Sequence, residues 1–405
     1  MIAIVGAGPI GIETALRARA AGHEVKVYET GRVGEHFRLY GSVRLFTPFR
    51  MNSTELGRER LRAAGVELPD GEAILTGDDL RLKYLLPLSR LPELDGVILE
   101  GSRVSAIARE GFSKSQSGGS SSRGKRPFLL RVEDRLDRAD VVIDASGVYA
   151  TPNATGPGGL PAFGEESLGD RLESRLTDFS RYAGKRILLL GDGRSAANAL
   201  AELDALVPGT RVTWIHRERG GRVFSPIPAA ELEQLPVLRE LDERVGRIAR
   251  DASWIERYPG ATVASYRVLP SGGVEVMLDD PRKGVCRVEV DRVLALVGYR
   301  PDLSLFRELQ VHLCYTSEGP MALASAILAA QAKDPTAQGC LGQAPHGPDS
   351  LKSPEPDFYV LGAKSYGRNP NFLLTVGHQQ IEDVMTLIGR CPQPPARSAS
   401  PAPGR

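Results

Sequence analysis

The sequence predicts an α/β fold made of two parallel-sheet units, on three observations. A glycine-rich turn, Gly6-Ala7-Gly8-Pro9-Ile10-Gly11, follows the apolar run Ile2-Ala3-Ile4-Val5 and precedes an Ala-rich stretch. A second turn, Gly191-Asp192-Gly193-Arg194-Ser195-Ala196, stands in the same setting after Lys185-Arg186-Ile187-Leu188-Leu189-Leu190. Each is followed in turn by a further strand-like run, His23 to Tyr28 and Arg211 to Ile215. Strand, glycine turn, helix and strand in that order form a Rossmann-like dinucleotide-binding unit. Two such units imply two dinucleotides in one chain, and the economical reason to hold both is to pass a hydride between them. This reading makes the chain a flavoprotein reduced by a nicotinamide.

In the first unit, Ala15 to Ala21 reads as helix and Gly22 ends it. Gly6 permits the tight turn, Gly8 lets backbone approach a pyrophosphate, and Gly11 allows helix and strand to pack closely. Pro9 and Ile10 complete the turn at a helix N-terminus, where free N–H groups and the helix dipole favour phosphate. Glu29 falls roughly 20 residues beyond the turn, where a carboxylate binds ribose hydroxyls. In the second unit Ser195 to Leu206 reads as helix, and Ala196 stands where a third glycine is also found. Its second strand ends in His216-Arg217-Glu218-Arg219 rather than in an acid. Cations there accommodate a 2′-phosphate and favour NADPH over NADH. They read equally as a solvated, Arg-rich strand end.

Two further apolar strands, Val141 to Gly147 and Val293 to Pro301, each carry a glycine near the strand end, Gly147 and Gly298. A glycine there lets the chain reverse beside a bound nucleotide without a clashing Cβ. Thr151 to Pro161 is rich in Pro and Gly and suits a crossing between units. Phe112 to Arg126 is of low complexity and reads as a swollen hairpin loop between strands at Arg103 to Arg109 and Phe128 to Val132. Ala332 to Pro356 reads as a long surface loop, and Cys391 to Arg405 as a disordered tail.

The 405 residues are enough for two or three domains, and the net charge of +1 carries no nucleic-acid footprint. No apolar run approaches the roughly 18 residues a membrane span needs. A strand beginning at residue 2 leaves no room for a signal or transit peptide, so a cytoplasmic protein is expected. The four cysteines, Cys286, Cys314, Cys340 and Cys391, are scattered and give no disulfide framework. The six histidines are dispersed without ligand spacing, so no metal is expected.

The order of turn, strand-Gly, turn, strand-Gly resembles the two-dinucleotide flavoprotein superfamily over residues 1 to about 388. The resemblance implies an FAD domain over 1–150 and 304–390, interrupted by a smaller NAD(P)H domain over 151–303, with 391–405 as a tail. It implies that Gly6, Gly8, Gly11 and Glu29 hold FAD and that Val104 lies near the adenine through its backbone. It also implies that Gly377-His378-Gln379-Gln380 opens a helix whose N–H groups face the flavin. A late strand of this superfamily carries a Gly-Asp pair whose Asp contacts the ribityl chain. Here Gly362 is followed by Ala363.

Disulfide reductases of the superfamily need a close cysteine pair beside the flavin, and no CxxC or CxxxxC occurs here. The flavin-containing monooxygenases resemble the chain better. Ser146 to Pro152 is similar to their strand-to-crossover junction, and Gly184 to Gly191 to their approach to the NADPH turn. Two of their signatures are incomplete: Phe163-Gly164 lacks the spaced His, and Gly34-Glu35-His36-Phe37 lacks the Gly-Gly-x-Trp pattern.

Two segments are candidates for the chemistry. Phe46-Thr47-Pro48-Phe49-Arg50-Met51-Asn52 follows the ribose-binding strand. Phe46, Phe49 and Met51 would line a cavity, Arg50 would bind a substrate carboxylate, and Asn52 falls where the monooxygenases carry an active-site Asn. The same segment also reads as the start of a helix capped by Asn52 or Ser53. Lys364 to Phe372 lies at a strand's carboxyl end, with Arg368 and Asn369 as candidate substrate contacts. Three functions follow: an NADPH-reduced monooxygenase of a small nitrogen- or sulfur-containing metabolite, an NAD(P)H-dependent flavin reductase acting on an organic acceptor, and an FAD-binding protein without turnover.

Overall fold

The apolar run after Met1 forms the strand Ile2–Val5, buried along its whole length. A strand so uniformly apolar needs cover on both faces, the condition of a parallel sheet. It pairs in parallel with Val25–Tyr28 on one side and Val141–Asp144 on the other. The computed structural model describes residues 1–390 apart from 117–120, 177, 219–223, 225–228, 334–340, 342 and 344. The expected tail, 391–405, therefore lies outside the described residues.

The first sheet runs Phe358–Val360, Val141–Asp144, Ile2–Val5, Val25–Tyr28, Ile98–Leu99, all parallel. The late strand Phe358–Val360 thus completes a sheet begun at residue 2. The helix Leu374–Arg390 packs on the helix Pro9–Ala20, and Ile4, Ile12, Leu16, Ile381 and Val384 share one core. The second sheet runs Ile255–Pro259, Arg211–His216, Arg186–Leu190, Arg292–Ala295, Leu172–Glu173, again all parallel. Each unit also carries a three-stranded antiparallel sheet. One comprises Val104–Arg109, Phe128–Val132 and Arg135–Ala139, the other Thr262–Val268, Val274–Asp280 and Gly284–Val290.

Two chain crossings join the units and run side by side. Asn153 N–H donates to Gly298 O at 3.0 Å, and Arg300 N–H donates to Thr151 O at 2.9 Å. The glycine-marked strand end and the Pro/Gly-rich crossing are therefore paired with each other.

Several limits move from those read in the sequence. The first helix starts at Pro9, because proline is pre-set for the first helical position and has no N–H to leave unpaired. The last helix starts at Leu374, three residues before Gly377. The helix Met321–Lys333 reaches into the expected surface loop, and Pro348–Leu351 forms a 3₁₀ turn within it. Among the described residues no helix is long and apolar enough to cross a membrane.

Candidate functional site

The carboxyl ends of both sheets open on one cleft of about 2570 Å³. Both glycine turns line it, with both strand-Gly ends, Gly147 and Gly298. The glycines divide the labour in the same way in each turn. Gly6 has φ +100° and Gly191 φ +127°. A Cβ on Gly6 would lie 2.8 Å from Ala145 O, and one on Gly191 2.4 Å from Leu296 O. These glycines let each turn press against the neighbouring strand end. A Cβ on Gly8 or Gly193 would meet nothing within 4 Å. Both are helix N-caps without a side-chain cap, so bare backbone and the helix's first-turn N–H groups are presented to an anion. A Cβ on Gly11 would lie 1.9 Å from Gly6 O, whereas Ala196 is fully buried and its methyl is accommodated.

Glu29 lines the cleft, and its carboxylate accepts from Ala7 N–H at 2.7 Å and Gly31 N–H at 2.8 Å. Pro9, Ile10, Val104 and Gly362 line the same side, and Ser195 lines the other. Gly11 and Ala196 do not, because their places serve helix packing.

The cationic strand end brings both His216 and Arg217 to the cleft, in different settings. His216 is 4% exposed beneath Trp214, with its Nδ1 beside Arg217 O, and burial holds its pKa below the ordinary value. It lines the cleft, with its ring packed against Trp214. Arg217 lines the cleft and makes a two-nitrogen contact with the buried carboxylate of Asp192 at 2.7–3.2 Å. Arg219 lies outside the described residues.

The segment Phe46 to Asn52 is also only partly in the cleft. Phe46 lines it, with the Arg194 guanidinium 6.0 Å from the ring centroid. Phe49 is core, 1% exposed and edge-on to Tyr84. Arg50 is exposed, pairs with Glu72 at 2.5 Å and does not line the cleft, and neither does Met51. Phe49–Met51 is a 3₁₀ turn, whose successive side chains point about 120° apart, so contiguous residues cannot all face one cavity. Asn52 lines the cleft, but its amide braces the turn: Nδ2 donates to Thr47 O and Pro48 O, and Oδ1 accepts from Thr47 Oγ1. The following helix, Glu55–Ala63, is capped by Thr54, not by Asn52 or Ser53.

Arg368 and Asn369 both line the cleft. His378 and Gln379 do not, because the helix begins at Leu374 and they fall in its second turn. Burial takes the His378 pKa down to about 4, and Gln379 is turned outward onto Asp383. The neighbouring Gln380 is the one aimed inward, accepting from Gly362 N–H and donating to Ser365 Oγ.

Sequence reasoning missed two groups of residues. Lys364 Nζ donates to Asp144 Oδ2 at 2.6 Å and to Ser146 Oγ at 3.0 Å, with both charged side chains at most 1% exposed. Asp144, a charge at the end of an apolar strand, was the available signal. His36 stacks on Tyr149 at 3.4 Å and 3°, Tyr299 meets Tyr149 edge-on, and all three line the cleft. Burial takes the His36 pKa down to about 3. Of the cysteines, Cys286 and Cys314 are described and neither lines the cleft, while Cys340 and Cys391 lie outside the described residues.

No family model matches the chain. Its structure is similar to a bacillithiol disulfide reductase from Bacillus cereus at TM-score 0.69 and 16% identity, covering 96% of this chain and 98% of that one. It is similar to an L-lysine 6-monooxygenase from Pseudomonas syringae at TM-score 0.63 and 16% identity, over 96% and 99% of the two chains. It is also similar to an ornithine N-hydroxylase from Kutzneria sp. 744, determined with reduced FAD, NADP⁺ and L-ornithine, at TM-score 0.60 and 15% identity over 96% and 98%. At these identities the shared property is the fold, the two-domain α/β architecture of FAD- and NAD(P)-dependent flavoproteins.

Proposed function

We propose that this protein is an FAD-dependent, NADPH-reduced oxidoreductase that oxygenates a small nitrogen- or sulfur-containing metabolite. The observation that carries the reading is the pair of bare helix N-termini, at Gly8 and Gly193, facing one cleft. At about 2570 Å³ the cleft exceeds the roughly 300–1,000 Å³ of an ordinary ligand pocket and has room for two dinucleotides and a small substrate.

The residues present fit the two cofactors. Gly6, Gly8, Pro9, Ile10, Gly11, Glu29, Val104, Gly147 and Gly362 would hold or shape the FAD site. Gly191, Gly193, Ser195, Arg217 and Gly298 would do so for NADPH. When bound, the flavin supplies the two-electron chemistry between nicotinamide and acceptor. The chain's own groups do the rest. Helix N–H groups bind the phosphates, and Arg217 would exchange Asp192 for the 2′-phosphate. The His36, Tyr149 and Tyr299 rings form part of the cleft wall, and Phe46, Arg368 and Asn369 are placed to meet the substrate.

Structures of both the reductase and the N-oxygenating kind share this fold, so the choice of reaction rests on the cleft wall. Among the described residues that wall carries no thiol, which disfavours disulfide exchange there. The test is anaerobic reduction by NADPH followed by oxygen in the presence of amines and thioethers. A product heavier by one oxygen atom, formed in step with NADPH consumption, supports the proposal. Hydrogen peroxide released in step with NADPH whatever amine or thioether is offered returns the chain to the reductases.

A further inference from the structure

The floor of the cleft beside the first glycine turn holds a group of charges that the reading above leaves unused. Asp144 ends a strand of the first sheet and is fully buried. Its Oδ2 accepts from Lys364 Nζ at 2.6 Å, and its Oδ1 accepts from Ser146 N–H at 3.1 Å and Ser146 Oγ–H at 2.6 Å. Two charges in so dry a place cost more to desolvate than their attraction returns, unless further hydrogen bonds satisfy them. Their arrangement has a definite consequence for Ser146. Its hydroxyl proton is committed to Asp144, and one of its two lone pairs takes the Lys364 ammonium at 3.0 Å. One acceptor lone pair is left.

Ser146 is exposed and lines the cleft, whereas Asp144 is buried behind it and Lys364, also at the cleft wall, is 2% exposed. Ser146 also touches the phosphate-binding turn, since a Cβ on Gly6 would lie 2.9 Å from Ser146 Cα. The group that meets a ligand there is next to a diphosphate, and on a nucleotide that neighbour is a sugar or polyol chain rich in hydroxyls. The strand end alongside offers no side-chain acceptor, because Gly362 and Ala363 line the cleft there.

We infer that Ser146 Oγ is the acceptor for a sugar-chain hydroxyl of the first dinucleotide, with Asp144 and Lys364 as positioning residues. Asp144 fixes the rotor so that the hydroxyl accepts rather than donates, and Lys364 keeps the buried carboxylate compensated. The inference rests on the FAD reading of the first turn.

Equilibrium titration of flavin-free protein with FAD tests it, alongside urea unfolding of the same samples. Ser146→Ala is expected to weaken FAD binding roughly 3- to 10-fold, the range for one lost hydrogen bond, with an unchanged unfolding midpoint in the absence of flavin. Ser146→Ala combined with Ala363→Asp sets a carboxylate acceptor on the same floor and is expected to restore the affinity. Lys364→Met combined with Asp144→Asn removes both charges and is expected to weaken FAD binding while Ser146 is still present. Wild-type affinity in Ser146→Ala overturns the proposal, and so does a loss that Ala363→Asp leaves unrepaired. A wild-type chain that binds no FAD overturns the oxidoreductase reading and this one with it.

Discussion

Gly8 and Gly11 differ by three positions and have opposite reasons to be glycine. A side chain at Gly8 enters open cleft, so Gly8→Val is expected to fold with an unchanged urea midpoint and to purify without flavin colour. A methyl at Gly11 would drive into the Gly6 carbonyl at 1.9 Å. Gly11→Ala is therefore expected to lower stability by about 1–3 kcal/mol, the usual cost of overpacking, and urea unfolding would measure it. Full flavin content in Gly8→Val would remove the first site. Arg217 and His216 separate in a similar way. One charge-assisted contact to a 2′-phosphate is worth roughly 10- to 100-fold, so wild-type protein should be reduced faster by NADPH than NADH by that margin. Arg217→Ala should abolish the margin, and His216→Gln, which alters a buried ring, should leave it. Equal wild-type rates with both nicotinamides would make Arg217 a surface charge that serves Asp192 alone.

The low-complexity segment between Val104–Arg109 and Phe128–Val132 is anchored at the scale of elements. Arg109 and Arg123, each at most 1% exposed, both pair with the buried Glu355, at 3.0 and 2.8 Å. Arg109 also lies over Phe128 at 3.5 Å. One carboxylate thus ties two strands, the loop between them and the approach to the last strand of the sheet. Removing its charge leaves two buried guanidinium groups without their anion. Glu355→Gln is expected to cost about 3–5 kcal/mol in urea unfolding, against under 1 kcal/mol for the exposed pair removed by Glu72→Gln. Similar small losses in both would show that the buried pair is replaceable. The regular elements were legible because period and length identify them. The 3₁₀ turn Phe49–Met51 was not, since three residues carry no period, and so Phe49, Arg50 and Met51 were assigned to a cavity they do not reach.

Two imidazoles link the whole molecule to pH. Burial holds His36 at about 3 and His378 at about 4, against an ordinary value of 6.5. Between those values and 6.5 the unfolded chain binds protons that the folded chain refuses, so stability rises with pH across that window and is lost on acidification. For His378 the loss from pH 7 to 5 is about 2 kcal/mol. His378→Asn should therefore show a smaller fall in urea midpoint over that interval than wild type. An equal fall would place the acid sensitivity elsewhere.

The sequence by itself determined the two-unit parallel fold, the glycine turns and Glu29, because each depends on local spacing: a strand, a turn with positive φ, a helix start, an acid one strand later. The tertiary structure alone decided which side chains meet across the chain. Lys364 reaches Asp144 and Ser146 because Phe358–Val360 pairs with Val141–Asp144, a neighbour more than two hundred residues away in sequence. Tyr149, on which His36 stacks, meets Tyr299 because the two crossings lie side by side. Such contacts are set by sheet order and register, which are properties of the folded core. The spacing of residues along the chain does not encode them.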